Sequence, residues 1–199
     1  MEVNIYAVVL AAGRSTRFVG RKLTQDLDGR PLLQHSLAAA QATFPGRVLL
    51  VAGHESEVII ESSDGLADVA VINADYSSGQ GSSIAVGVRA CRDDAAAIVI
   101  MLADQPFITS DVLNQLVESW TGDENHIVAS DYGGSMGPPV LFGKGAFGQL
   151  CGLGGDQGAR KVIQSGLFDV ATIAVGSLGF DVDTPQDLET ATQLLSAEK

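Results

Sequence analysis

Hydrophobic positions along the chain alternate between short continuous runs and spacings of three and four, a rhythm that predicts strand and helix in turn. Val3–Leu10 is apolar and β-branched and ends in Ala-Ala-Gly, the pattern of a buried strand. Leu32, Leu33, Ser36, Leu37 and Ala40 share one face of a helix, with Pro31 in its first turn. Apolar runs recur at residues 47–53, 68–74 and 96–104 and predict three more strands, with a helix over 54–63 between the first two. The segment 75–91 opens with glycines and serines, and Ser82 or Ser83 is expected to cap a helix that runs to Cys91. Val112, Leu113, Leu116, Val117 and Trp120 mark an amphipathic helix.

The C-terminal third is less regular. Residues 126–143 read as two short strands around a glycine-rich turn, and 154–166 as a loop opening a helix. A strand over 168–175 and a final helix over 184–195 follow. No internal repeat, low-complexity tract or linker divides these parts. Alternating strand and helix implies βαβ units and a mainly parallel sheet covered on both faces. The expected architecture is one α/β domain of three layers, a doubly wound Rossmann-like sheet, with a small β element in the C-terminal half.

With 199 residues, 46% hydrophobic and 18% charged, the chain is long and apolar enough for a substantial core. Its formal charge of −12 argues against nucleic acid or an anionic membrane as partner, because neutralising phosphates needs clustered Lys and Arg. Cys91 and Cys151 are far apart and form no CxxC pair, which argues for reduced thiols over a zinc site or disulfide framework. No apolar run reaches the ~18 residues of a membrane span, and the N-terminal Met-Glu-Val-Asn lacks the basic region of a secretory signal. A soluble, cytoplasmic protein is the expectation.

Against this acidic background, "VVLAAGRSTRFVGRK" (8–22) places a glycine and a cluster of positive charge directly beyond a strand. In an open parallel sheet, ligands gather beyond the carboxyl ends of the strands. Gly13 there permits positive φ and close approach of a phosphate to backbone amides. Arg14, Arg17, Arg21 and Lys22 can neutralise phosphate oxygens. The spacing matches neither Walker A nor GxGxxG, and a plain turn with solvated arginines is the other reading. Asp104 ends an apolar strand, with Pro106 after it; a carboxylate there can hold Mg²⁺ while the metal bridges phosphates. Its other reading is a helix cap, for which Thr109, Ser110 and Asp111 are better placed. In "FDVDTPQDL" (180–188), Thr184, Pro185 and Asp187 form a variant capping box. Asp181 and Asp183 alternate along the preceding strand and are expected to face one side. His35, His54 and His126 show no metal-like spacing and read as packing or surface residues, and no GxSxG elbow is present.

Leu10, Ala11, Ala12, Gly13, Ser15, Arg17 and, five residues on, Lys22 resemble the LAAGxSxR…K signature loop of nucleotidyltransferases. Serine at its sixth place most resembles the molybdenum cofactor cytidylyltransferase group. Val19, followed by Gly20, stands where that family usually carries glycine. Residues 77–87 are similar to its Gly-x-x-x-Ser segment, "GPPVLF" to its Gly-x-Pro motif and "GGDQGARKVI" to its Gly-Asp-x-Gly-Ala-Arg motif, all in the family's order. The resemblance implies transfer of CMP from CTP to the phosphate of molybdopterin carrying molybdenum, with release of pyrophosphate. It implies catalytic roles for Arg17 and Lys22. It places Leu10, Ala11, Ala12, Gly13, Arg14, Ser15, Gly79, Gln80, Ser83 and Asp104 at the nucleotide. Asp104 and Asp183 would hold Mg²⁺, or Mn²⁺ in its place, with Asp181 a weaker candidate. Pro138, Asp156, Gly158 and Arg160 would meet the acceptor. Residues 1–107 would then mainly bind nucleotide and 108–199 mainly acceptor, with a molybdoenzyme or its maturation chaperone as a partner. Ala12 is associated with pyrimidine nucleotides and a glycine there with guanylyl relatives, so a guanylyl- or other nucleotidyltransferase is the near alternative. Nicotine blue oxidoreductase resembles the same family yet reduces its substrate with a nicotinamide cofactor; the missing GxGxxG and the presence of Lys22, Asp104 and Asp183 count against that activity. A nucleotide-binding regulator is the third reading.

Overall fold

The computed structural model describes residues 3–15, 17–18 and 20–197. Val19, the departure from the signature loop, lies outside the described residues. The chain builds a seven-stranded sheet from β1 (Ile5–Ala11), β4 (Val48–Ala52), β5 (Val69–Ile72), β6 (Ala97–Leu102), β7 (His126–Asp131), β8 (Met136–Gly143) and β9 (Asp169–Ala174), in the order β5-β4-β1-β6-β8-β7-β9. β1 pairs in parallel with both β4 and β6, whereas β8 runs antiparallel to β6 and β7. The β element expected in the C-terminal half is the β7–β8 hairpin, and it is built into the main sheet. A separate ribbon, β2 (Asp26–Leu27) and β3 (Arg30–Pro31), turns through Asp28 and Gly29, both at positive φ. An Asp-Gly pair is the chemistry such a tight turn demands.

Side chains alternate across the sheet, so each central strand feeds two cores. Ala7 and Val9 of β1, Leu50 of β4, and Val99 and Met101 of β6 face one layer. That layer holds α1 (Leu32–Thr43), α4 (Ser110–Ser119) and α7 (Pro185–Ala197). Val8, Leu10, Val51, Ile98 and Ile100 face the other, built on α3 (Gln80–Cys91), α5 (Phe147–Cys151) and α6 (Arg160–Ile163). Leu32, Leu33 and Leu37 of α1 are fully buried, each worth about 1.5–3 kcal/mol of removal from water. The short α2 (Ser56–Ser62) adds Ile59 to the first core. Among the described residues no helix is long and apolar enough to cross a membrane.

Two expectations of local structure change. The serines do not cap α3: the helix starts at Gln80 with Gly79 as its cap, at φ 120°. Ser82 and Ser83 lie inside the first turn, where both hydroxyls accept hydrogen bonds from Asn73 Nδ2 at 2.8 and 2.9 Å. Residues 180–184 form an irregular extended segment and not a strand. Alternation persists all the same, because Val182 between the two aspartates is fully buried and its amide donates to Asp104 O at 3.0 Å. The capping box is present as expected. Thr184 N and Oγ1 each donate to Asp187 Oδ2 at 2.8 Å, and Asp187 N donates to Thr184 Oγ1 at 3.2 Å.

Candidate active site

Three cavities meet beyond the carboxyl ends of β1 and β6, where the strand order reverses on either side of β1. The first, about 210 Å³, is lined by Gly13, Ser15, Arg17, Lys22, Asp104 and Asp183, with Leu10 and Ala11 as its floor. Lys22 opens a short 3₁₀ turn, and its side chain is only 7% exposed. Its ammonium donates to Asp104 Oδ2 at 2.6 Å and to Asp183 Oδ1 at 3.3 Å. Arg17 Nη2 reaches the other oxygen of Asp183 at 2.7 Å. Two carboxylates, one from the middle of the chain and one from near its C-terminal end, thus converge on one point, held by two cations of the glycine loop. Asp181 stands close by. Desolvation and the Asp104 and Asp183 charges push its carboxyl above the usual range, against the Gln105 side chain and Lys22.

The backbone of the loop differs from expectation. Gly13 does not take positive φ; among the described residues of the loop the left-handed positions are Ser15 (φ 49°) and Gly20 (φ 100°). What glycine provides at position 13 is room: its chain neighbours aside, a Cβ there would meet no atom of the described residues within 4 Å, at a position that lines the cavity. Arg21 does not face this cavity. Its Nε donates to Glu55 Oε1 at 2.8 Å across a side cleft. Arg14 lines the same cleft, with its guanidinium 5.5 Å from the centre of the Tyr76 ring.

Ala12, Tyr76, Gly79, Gln80, Ser83 and Leu102 surround the second cavity, about 240 Å³, which shares Leu10, Gly13 and Asp104 with the first. Pro138, Asp156, Gly158 and Arg160, singled out in sequence for an acceptor, all line the third, of about 330 Å³. Its walls include Leu102, Val140 and Ile163. Arg160 is committed within the fold: Nε donates to Met136 O and Nη2 to Ser135 Oγ, both at 3.1 Å. It braces the loop against the β7–β8 turn with two of its five N–H donors. Sequence reasoning missed Tyr76 and Leu102, which carry no catalytic chemistry and announce themselves only by position. It also missed Glu55 as the partner of Arg21.

Residues 7–170 match the MobA-like NTP transferase domain. The chain belongs to this family. The purine catabolism protein PucB of Bacillus subtilis is 31% identical over an alignment covering 96% of this chain and 98% of PucB. Rv0371c of Mycobacterium tuberculosis, solved in complex with manganese, superposes with a TM-score of 0.79 at 28% identity, over 96% of this chain and 99% of that one. A nucleotidyl transferase from Methanothermobacter superposes at 0.86 with 20% identity, over 98% and 99%, and shares the fold. MobA-like membership places the signature loop and both later motifs within one fold, and it is wider than the cytidylyltransferase group that the loop's serine suggested.

Proposed function

We propose that this MobA-like protein moves CMP from CTP onto the phosphate of a pterin-type acceptor, molybdopterin carrying molybdenum, and releases pyrophosphate. The observation that carries the reading is the convergence of Arg17 and Lys22 with Asp104 and Asp183 in one cavity beside the glycine loop. An oxygen of the acceptor phosphate attacks the α-phosphorus of the nucleotide. The bond from that phosphorus to the α–β bridging oxygen breaks, and its electron pair leaves with pyrophosphate. Such chemistry needs positioning and charge neutralisation and no protein nucleophile. Arg17 and Lys22 are the cations within reach of the departing phosphates. Asp104 and Asp183 offer hard oxygen donors at a common point, a set that suits Mg²⁺ or Mn²⁺. A cation bound there supplies further charge neutralisation to the triphosphate. The manganese held by the Rv0371c relative supports divalent metal use.

Two features support the finer assignment. Ala12 lines the second cavity, and in the resembling family alanine at this place goes with pyrimidine nucleotides. The third cavity combines apolar walls with an Asp156 carboxylate, suited to a flat heterocycle whose N–H groups can donate to it.

Thermal melting of the full chain with CTP, GTP, ATP, UTP and NADPH, each with and without Mg²⁺, tests the reading. A ligand at 100 times its Kd adds about 2.7 kcal/mol, which raises the Tm of a chain this size by roughly 5–10 °C. The expected result is a Mg²⁺-dependent shift with CTP that is absent in Asp104→Ala. A shift with GTP alone would move the assignment to guanylyl transfer, and one with NADPH alone would overturn it.

A further inference from the structure

The start of α3 and the loop 154–158 pack backbone against backbone. A Cβ on Gly79 would collide with the Gly155 carbonyl, and one on Gly81 would lie 2.8 Å from Gln157 O. Gly81 N donates to Gly155 O at 3.1 Å. From the opposite side, a Cβ on Gly158 would come within 2.9 Å of Gln80 Oε1. With backbone against backbone at Gly79 and Gly81, and Gly158 facing the Gln80 carboxamide, a shift of either loop presses on the other. The loop 154–160 is in turn fastened to the β7–β8 turn through Arg160.

This glycine clasp is the partition between the second and third cavities, and Gln80 lines both. Its carboxamide makes no hydrogen bond among the described residues, unlike Ser83 and Arg160 beside it. An amide carries two donors and an acceptor oxygen, so one uncommitted side chain on the partition can bond to the occupants of both sides.

We propose that Gln80 is a contact shared by both substrates and that the clasp couples their cavities, so that filling the nucleotide cavity orders the acceptor cavity. The inference rests on the nucleotidyltransferase reading and adds a coupling to it. Its physical basis is ordering: a ligand that immobilises the α3 side of the clasp lowers the entropic cost of fixing the 154–160 side. By linkage, an acceptor must then tighten nucleotide binding by the same factor.

Amide hydrogen exchange on the full chain tests it, with CTP, GTP, ATP and UTP in turn, each with Mg²⁺, in the parent, Gln80→Ala and Gly81→Ala. Slowed exchange over 8–22 reports that a nucleotide is bound. The coupling predicts that the same nucleotide slows exchange over 153–161 in the parent by about fivefold or more. Gln80→Ala should keep its basal exchange rates without nucleotide, need more nucleotide to reach the parent's protection over 8–22, and at that matched protection lose most of the response over 153–161. Gly81→Ala, which wedges the clasp apart, should lose that response entirely. Protection over 8–22 with no change over 153–161 in the parent overturns the coupling and leaves the transferase reading intact. A full response in Gln80→Ala, or basal exchange that rises in that variant without nucleotide, overturns the shared-contact role. If no nucleotide slows exchange over 8–22, the transferase reading fails and the inference falls with it.

Discussion

Gly13 lines the first two cavities and the side cleft, in a conformation that any residue can adopt. Its lack of a side chain therefore serves what enters the cavities and not the fold. Gly13→Ala separates the two effects. The protein should melt at the same temperature or slightly higher, because losing glycine's freedom in the unfolded chain stabilises by about 0.4–1 kcal/mol. A methyl in the cavity should cost about 1–3 kcal/mol of nucleotide binding, a loss of roughly five- to 150-fold by calorimetric titration. An unchanged affinity would mean that nothing approaches this backbone closely. Lys22 presents the converse case, a buried cation whose only partners among the described residues are Asp104 and Asp183. Lys22→Gln keeps an amide N–H donor group, on a side chain one atom shorter, but removes the charge. Loss of one aligned donor to a developing negative charge typically costs about 10²–10³ in turnover, and pyrophosphate release should fall by that order. A variant within threefold of the parent would exclude Lys22 from the chemistry. Sequence alone makes Lys22 a candidate from charge and spacing. It gives no sign that Lys22 lies between both carboxylates, because those contacts join positions 22, 104 and 183 through the fold.

The β2–β3 ribbon shows how a small element depends on a single side chain. His35 of α1 is buried, and its Nε2 donates to Leu27 O at 2.8 Å. Arg30 Nη2 lies 3.1 Å from Nδ1, so that nitrogen accepts and the ring is neutral. Desolvation holds the imidazole pKa below its ordinary 6.5; the Arg30 charge acts in the same direction, and the Leu27 carbonyl, Asp28 and Asp26 oppose it. A base whose folded pKa is lowered leaves the unfolded chain binding more protons as pH drops below 6.5. Stability is therefore full above that pH and declines on acidification toward the folded-state value. His35→Gln can donate to Leu27 O and accept from Arg30 without titrating. Its Tm should fall less than the parent's between pH 7.5 and 5.5, and parallel curves would remove His35 from the account. His35 looked inert in sequence because neither its burial nor its partners are local. The capping box at Thr184 was legible because all its atoms lie within four residues. The start of α3 was misread because a distant loop at Gly155 decides where glycine must stand.

Across the whole molecule, the strand–helix alternation was legible from apolar runs, whereas the order of strands was not, since β1 sits between β4 and β6 through pairings remote in sequence. Those pairings bear on whether residues 1–107 and 108–199, distinct in the ligands proposed for them, are also distinct folding units. β6 belongs to the first half, and its residues 97–102 pair with β1, yet residues 97–100 also pair with 140–143 of β8 in the second. The core on the α1 side is likewise mixed, with Leu33 and Leu37 packed in one cluster with Leu113, Leu116, Val182 and Ala191. Separating the halves would strip one side of β6 of its partner and expose Ile98, Val99 and Ile100, all fully buried in the intact chain, at a free sheet edge. The two halves should therefore unfold together. Trp120, the single tryptophan, packs against that core from the second half, so its fluorescence reports that half while far-UV circular dichroism reports every helix and strand. In urea the two signals should trace one coincident transition, and the isolated fragment 1–107 should lack cooperative structure. A circular dichroism curve with a second step that the tryptophan does not share, or a folded 1–107 fragment, would instead show a nucleotide half able to stand alone. The continuous sheet would then be a docking surface between two units and not a common core.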